Sequence, residues 1–126
     1  MAMYKLGVKQ DFIAQHFLVG GDWGPENNKH SHHYRLEIQL EGKSLDNHGF
    51  LVDIVEIETH LEKLVSSYRD KTLNELPEFK DINPSIENMA RISYQALYPS
   101  IRKTGIAALT VKVWEDDIAW VVYQEK

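Results

Sequence analysis

The sequence predicts an α+β fold: a four-stranded antiparallel sheet with two helices on one face, in the order strand, strand, helix, helix, strand, strand. Three observations carry this. Tyr34 to Glu41 alternates apolar and polar residues, the period-two signature of a half-buried strand. Ile54, Ile57, Leu61, Leu64, Val65 and Tyr68 recur at helical spacing. Strands and helices then come in runs, without the βαβ alternation that builds a parallel sheet.

Each element follows in turn. From Tyr4 to Leu18 the pattern is mostly alternating, with Phe12, Ala14, His16 and Leu18 sharing one parity, so a first strand ends near His16. Val19 to Lys29 contains Gly20, Gly21, Gly24, Pro25 and two asparagines, the chemistry of a loop, with Glu26 inside it. In the second strand Tyr34, Leu36, Ile38 and Leu40 point inward, and His30 and His32 carry the same parity. His33 falls on the outward, charged face.

Gly42 to Gly49 is rich in turn residues. Asp53 caps the first helix, with acidic residues in its early turns that suit the helix dipole. His60 lies beside the apolar stripe of that helix and receives no role. Arg69 to Asn83 is irregular. Asn83-Pro84 reads as a capping residue followed by proline at the first helical position, with Ile86, Met89, Ala90, Ser93 and Leu97 as the buried side and Pro99 just past the end. Leu109 to Tyr123 reads as a hairpin closing on Glu115-Asp116-Asp117.

Composition narrows the class. One domain spanning residues 1–126 is long enough to bury a core. A net charge of −5 without a Lys/Arg cluster argues against nucleic acid as a partner. With no cysteine there is no disulfide framework, thiolate metal site or thiol nucleophile. The N-terminus lacks the apolar run of a signal peptide and no later run spans a bilayer, so the expectation is a cytoplasmic protein without a membrane partner.

Two imidazoles two residues apart on a strand leave the same face of the sheet. A third from a neighbouring strand completes a three-nitrogen platform with an open fourth position, the pattern of catalytic rather than structural zinc. A His-x-His pair alone is commoner as surface or satisfied core histidines, so the surrounding sequence has to decide.

That surrounding sequence resembles the 6-pyruvoyltetrahydropterin synthase and 6-carboxytetrahydropterin synthase family along nearly the whole chain. Phe12-Ile13-Ala14-Gln15-His16-Phe17 is similar to the family's first-strand motif, and His30-Ser31-His32-His33-Tyr34 stands where the family has His-Gly-His, a small residue and Tyr. Leu45 to Asp53, Leu73-Asn74, Asn83 to Asn88 and Val113-Trp114-Glu115 match further family segments in order and spacing. The resemblance implies the tunnelling (T-) fold, with subunits pooling their sheets into homo-oligomers, usually hexamers built as a dimer of trimers. It implies a small-molecule pterin substrate, 7,8-dihydroneopterin triphosphate, and Zn2+ held by His16, His30 and His32, with the substrate's side-chain hydroxyls completing the coordination. Zinc as a Lewis acid then eases the proton shifts that eliminate triphosphate or cleave the side chain, a carbon–oxygen lyase type of activity. Glu115 would anchor the pterin's 2-amino and ring N–H groups, since a carboxylate accepts two parallel donors; without the resemblance it reads as a solvated turn residue beside Asp116 and Asp117.

Two departures from the family pattern shape the expectation. The family's catalytic cysteine, four residues before the first histidine of His-x-His, is replaced by Glu26. Some members use glutamate in this region and release 6-hydroxymethyl-7,8-dihydropterin, and a carboxylate near zinc is able to act as a general base. The family's Asp-His pair before Leu-Asn is occupied by Arg69 and Asp70, so the partner proton carrier is Asp70 or a residue from elsewhere such as His48. The readings are therefore a zinc-dependent enzyme acting on dihydroneopterin triphosphate or a related dihydropterin; a 6-carboxy-7,8-dihydropterin synthase of the 7-deazaguanine (queuosine) route, which the missing cysteine disfavours; or a pterin-binding homologue without catalysis. The aromatic last strand, with Trp120 and Tyr123, is where subunit pairing is expected, because a four-stranded sheet leaves edges to be covered.

Overall fold

The computed structural model describes residues 3–125. Four strands, β1 (Tyr4–His16), β2 (His30–Gly42), β3 (Ala108–Glu115) and β4 (Ala119–Tyr123), form one antiparallel sheet in the order β1-β2-β3-β4. Two helices, α1 (Ile54–Tyr68) and α2 (Ile86–Ile101), intervene between β2 and β3. The sheet's inner residues Phe12, Ala14, Tyr34, Leu36, Ile38, Leu40, Leu109, Val111 and Val113 are buried against Ile57, Leu61, Val65 and Tyr68 of α1 and Met89, Ala90, Leu97 and Ile101 of α2. Both helices thus cover one face. The other face is polar and aromatic, with Arg35, Lys112, Trp114 and the half-exposed Trp120.

Alternation fixes the register, since a one-residue slip would turn the apolar set outward. Phe12 pairs with Tyr34, Ala14 with His32 and His16 with His30. Across the next ladder Tyr34 faces Glu115 and Leu36 faces Val113. The inward parity therefore ends in polar residues at one end of the sheet: His16 on β1, His30 and His32 on β2, Glu115 on β3.

Helix α1 starts as its sequence reads, with the Asp53 carboxylate accepting from the Val55 N–H. Helix α2 differs at both ends. Its cap is Ser85, whose Oγ accepts from the Asn88 N–H at 3.1 Å, and not Asn83. The Asn83 side chain is engaged elsewhere: it accepts from the Val19 N–H at 2.7 Å and donates to the Val19 carbonyl at 3.2 Å. Pro99 lies inside α2 rather than past it. Its missing N–H would have served the carbonyl of Gln95 on the exposed side, where water is an adequate partner, so the last turn survives.

The irregular stretch after α1 is ordered by short 3-10 turns at Leu73–Glu75 and Pro77–Phe79, which bury Leu73 and Phe79. Among the described residues no helix is long and apolar enough to cross a membrane.

Candidate metal and pterin site

The residues that gather at the polar end of the sheet are held there from both sides. Beyond His16 the chain is clamped by two asparagines. Asn74 accepts from the Phe17 N–H at 3.0 Å and donates to the Phe17 carbonyl at 2.9 Å, and Asn83 does the same for Val19. These are the Leu73-Asn74 and Asn83-Pro84 segments, whose task the sequence does not reveal: each side-chain amide stands in for a missing neighbour strand. The loop that follows folds back through the Leu18 N–H to the Glu26 carbonyl, 2.9 Å, and through Asn27, whose amide donates to the carbonyls of Leu18 and Gly21. A 3-10 turn, Gly24–Asn27, thereby delivers Glu26 to the histidines.

His16, His30 and His32 form a triangle with ring centroids 4.6, 4.8 and 4.8 Å apart and planes near perpendicular. Each ring is oriented through Nδ1. His16 Nδ1 is 3.1 Å from the Pro84 carbonyl, His30 Nδ1 is 2.6 Å from the Asn28 carbonyl, and His32 Nδ1 is 3.0 Å from Oδ2 of Asp116. Carbonyl and carboxylate oxygens only accept, so all three Nδ1 atoms carry the proton. In the neutral form of these rings the Nε2 atoms carry the lone pairs, and all three Nε2 atoms are buried without a hydrogen-bond partner. Glu26 Oε2 lies 2.7 Å from His30 Nε2 in an orientation that forms no hydrogen bond. One ligand atom from each of His16, Glu26, His30 and His32 lies within 4.8 Å of the others.

Four electron-rich atoms facing one another with no proton among them repel unless a cation sits between them. Three converging imidazole nitrogens match the donor set of a zinc site with its fourth position open, and the Glu26 carboxylate stands beside that position. The residues present fit the metal.

Electrostatics point the same way. Burial holds the His16 imidazole below its ordinary range despite the Pro84 hydrogen bond, and the neighbouring His32 and His30 add to the effect. A neutral ring is the ligating form. Burial also pushes the Glu115 carboxyl up, opposed by His32 and reinforced by Asp116 and Glu26. Its Oε1 is 3.9 Å from His32 Nε2. An open cleft of about 300 Å³ runs past His16, Leu18, Glu26, Ser85, Ile86 and Glu115. The buried Tyr34 hydroxyl lies 3.0 Å from His16 Nδ1 and is kept protonated by burial first and by the nearby acids second.

Five of the six residues singled out in the sequence thus meet: His16, Glu26, His30, His32 and Glu115. The sixth, Asp70, does not join them in this chain. It is exposed, in the left-handed region at φ 61°, with its N–H on the Ile13 carbonyl at 2.7 Å. His48 is exposed on the turn before α1 and lies outside the cluster, and His33 faces outward, its Nε2 3.3 Å from Asp11. Asp116, one of the turn acids, holds His32 and was not legible as a site residue.

The 6-pyruvoyl tetrahydrobiopterin synthase of Dictyostelium discoideum is 31% identical over 99 residues, 77% of this chain and 71% of that protein. The 6-carboxy-5,6,7,8-tetrahydropterin synthase of Bacillus subtilis is 28% identical over 130 residues, 98% of this chain and 86% of that protein. The Caenorhabditis elegans 6-pyruvoyl tetrahydropterin synthase superposes with a TM-score of 0.89 at 19% identity, over 100% of this chain and 98% of that one. A Plasmodium vivax 6-pyruvoyltetrahydropterin synthase, solved with a catalytic glutamate replaced by alanine, superposes with a TM-score of 0.77 at 14% identity, over 100% and 99%. At such identities the two structures speak for the fold, which is this antiparallel sheet with its two helices. The sequence matches the description 6-pyruvoyl tetrahydropterin synthase over residues 5–126, and with the histidines of that match gathered at one sheet end, the chain belongs to the 6-pyruvoyl tetrahydropterin synthase family.

Proposed function

We propose that the protein is a zinc-dependent pterin enzyme acting on 7,8-dihydroneopterin triphosphate or a related dihydropterin, with Glu26 as the base. The observation that carries this is the convergence of three Nε2 lone pairs with the Glu26 carboxylate beside them and Glu115 across the cleft. A zinc held by His16, His30 and His32 supplies Lewis acidity that makes the substrate's side-chain hydroxyls and the adjacent carbon more acidic. Glu115 receives the pterin's 2-amino and ring N–H groups, and its partial burial strengthens those bonds by keeping water away. Glu26, on the loop at the cleft mouth, takes the proton from the side chain.

The reading of Glu26 draws support from the Plasmodium vivax neighbour, in which a glutamate is the catalytic residue that was replaced. With no cysteine in the chain, Glu26 is the acid–base group on the loop before His30, 2.7 Å from its Nε2. It also disfavours the second reading, 6-carboxy-7,8-dihydropterin formation, which the Bacillus subtilis relative keeps in view. Asp70 serves as the partner proton carrier only where a neighbouring copy presents it, since within one chain it stands apart. The assembly that would do so is a homo-oligomer of trimer-multiple size.

Incubation of the zinc-loaded protein with 7,8-dihydroneopterin triphosphate, with products identified by mass spectrometry, tests the function. A 6-hydroxymethyl product is expected for side-chain cleavage by Glu26, and a 6-pyruvoyl product for triphosphate elimination; a 6-carboxy product selects the second reading. Glu26→Gln is expected to abolish turnover while zinc stays bound. Full activity in that variant removes Glu26 as the base, and substrate bound but unchanged by the native protein marks a pterin-binding relative without catalysis.

A further inference from the structure

The three histidines are not held alike. His16 and His30 donate through Nδ1 to neutral backbone carbonyls, whereas His32 donates to a full carboxylate, Oδ2 of Asp116, at 3.0 Å. Asp116 is built into this position. It occupies the left-handed region at φ 55° in the turn joining β3 and β4. Its N–H donates to the His33 carbonyl at 2.6 Å, and its Oδ1 accepts from the His33 N–H at 3.2 Å. Gripped by the backbone of β2 in this way, the carboxylate has one oxygen left, and that oxygen meets the ring of His32.

Consecutive acids therefore address opposite sides of one imidazole. Glu115 lies toward Nε2, on the cleft side, and Asp116 holds Nδ1 behind the ring. The alternation of β3 explains why one residue cannot do both: Glu115 ends the inward row of Leu109, Val111 and Val113, and only the reversal after it swings the next carboxylate round to the far side.

We propose that Asp116 is a positioning residue for the metal: it fixes the tautomer and plane of His32 and makes its Nε2 the most strongly donating of the three. This rests on the reading of the histidine cluster as a zinc site. A carboxylate accepting from the distal N–H of a ligating histidine raises the basicity of the ligating nitrogen, and losing such a partner costs about 10–100-fold in metal affinity. A carbonyl, carrying no net charge, does this less.

Two variants separate this role from that of a turn former. Asp116→Gly suits a positive φ and removes the carboxylate; Asp116→Asn also tolerates that backbone and keeps an acceptor oxygen but loses the charge. Zinc affinity is measured by competition with a chromophoric chelator, alongside the Co2+ d–d spectrum and the melting temperature of the metal-free protein. The expected result is zinc binding weakened about 10–100-fold in Asp116→Gly and by a smaller factor in Asp116→Asn, with a shifted Co2+ band in both. Native zinc affinity and an unchanged Co2+ spectrum in Asp116→Gly overturn the proposal. If Asp116→Gly melts early without metal, the same two readouts in Asp116→Asn decide, and native values there overturn it equally. Failure of the native protein itself to take up Zn2+ or Co2+ instead overturns the zinc-site reading on which the proposal stands.

Discussion

At the scale of single residues, the site is defined by where protons are. Each histidine gives its one N–H to an acceptor that has none to return, which leaves three lone pairs converging on one point. The carboxylates divide the remaining work by position: Glu26 beside His30 at the cleft mouth, Glu115 on the inner wall, Asp116 behind His32. The role proposed for Glu115, receiving the pterin's N–H groups, makes a sharp prediction. Glu115→Gln keeps the shape but turns one of two acceptors into a donor facing the pterin's own donors. A hydrogen bond to a charged group contributes about 1.5–3 kcal/mol, so pterin affinity measured by calorimetry should fall about 10–100-fold with zinc content unchanged. Native affinity would leave Glu115 as a turn residue and nothing more.

At the scale of elements, the histidines need strand ends that do not fray. Asn74 and Asn83 hold the exit of β1, and the helices hold the stretch that carries them. One contact at that level is the hydrogen bond between the buried Tyr68 hydroxyl on α1 and Ser93 Oγ on α2, 3.1 Å. Burial pushes the Tyr68 phenol up to about 12 from its ordinary 10.0, with the Ser93 hydrogen bond opposing and Glu78 reinforcing the rise. The folded protein therefore keeps a proton that the unfolded chain gives up. The stability tied to this group is complete below pH 10 and is lost as pH rises from there through about 12. Two pKa units correspond to about 3 kcal/mol. Chemical denaturation of native protein and Tyr68→Phe between pH 9 and roughly pH 12 should show the native protein losing stability more steeply; parallel curves would mean that Tyr68 ionises freely in the fold.

At the scale of the whole molecule, the sheet has two open edges. Among the described residues β1 pairs with β2 and meets only an isolated bridge from Gln15 to Thr72 on its other side, while β4 pairs with β3 and carries Trp120 and Val122 exposed on the outer face beside Ile118, 88% exposed. Such an edge invites pairing with another strand. We expect a homo-oligomer of trimer-multiple size in sedimentation velocity at micromolar concentration, and a monomer would contradict it. Asp70 is exposed and outside its own histidine cluster, so the proton-carrying role proposed for it requires a neighbouring copy. If a neighbouring copy supplies Asp70, then Glu26→Gln and Asp70→Asn, each inactive alone, should regain part of the native activity when unfolded together and reassembled as mixed oligomers. No recovery, or full activity of Asp70→Asn alone, would take Asp70 out of the reaction.

The sequence by itself determined the order of the elements, the inward parity of His16, His30 and His32, and the cap at Asp53, because each depends on neighbours a few residues away and on a period set by backbone geometry. The parity of β2 ran straight from Leu40 to His30, and the buried row followed it. The start of α2 was misplaced because Asn83 has a partner 64 positions away in the chain at Val19, so its capping propensity lost to a tertiary contact and Ser85 took the cap. Pro99 could remain inside α2 because only the fold decides which carbonyl faces water. For the same reason Asp116 looked like one of three solvated turn acids. Its bond to His32 spans 84 positions and depends on β2 and β3 being paired in register with a left-handed turn beyond them, a condition that local spacing does not encode.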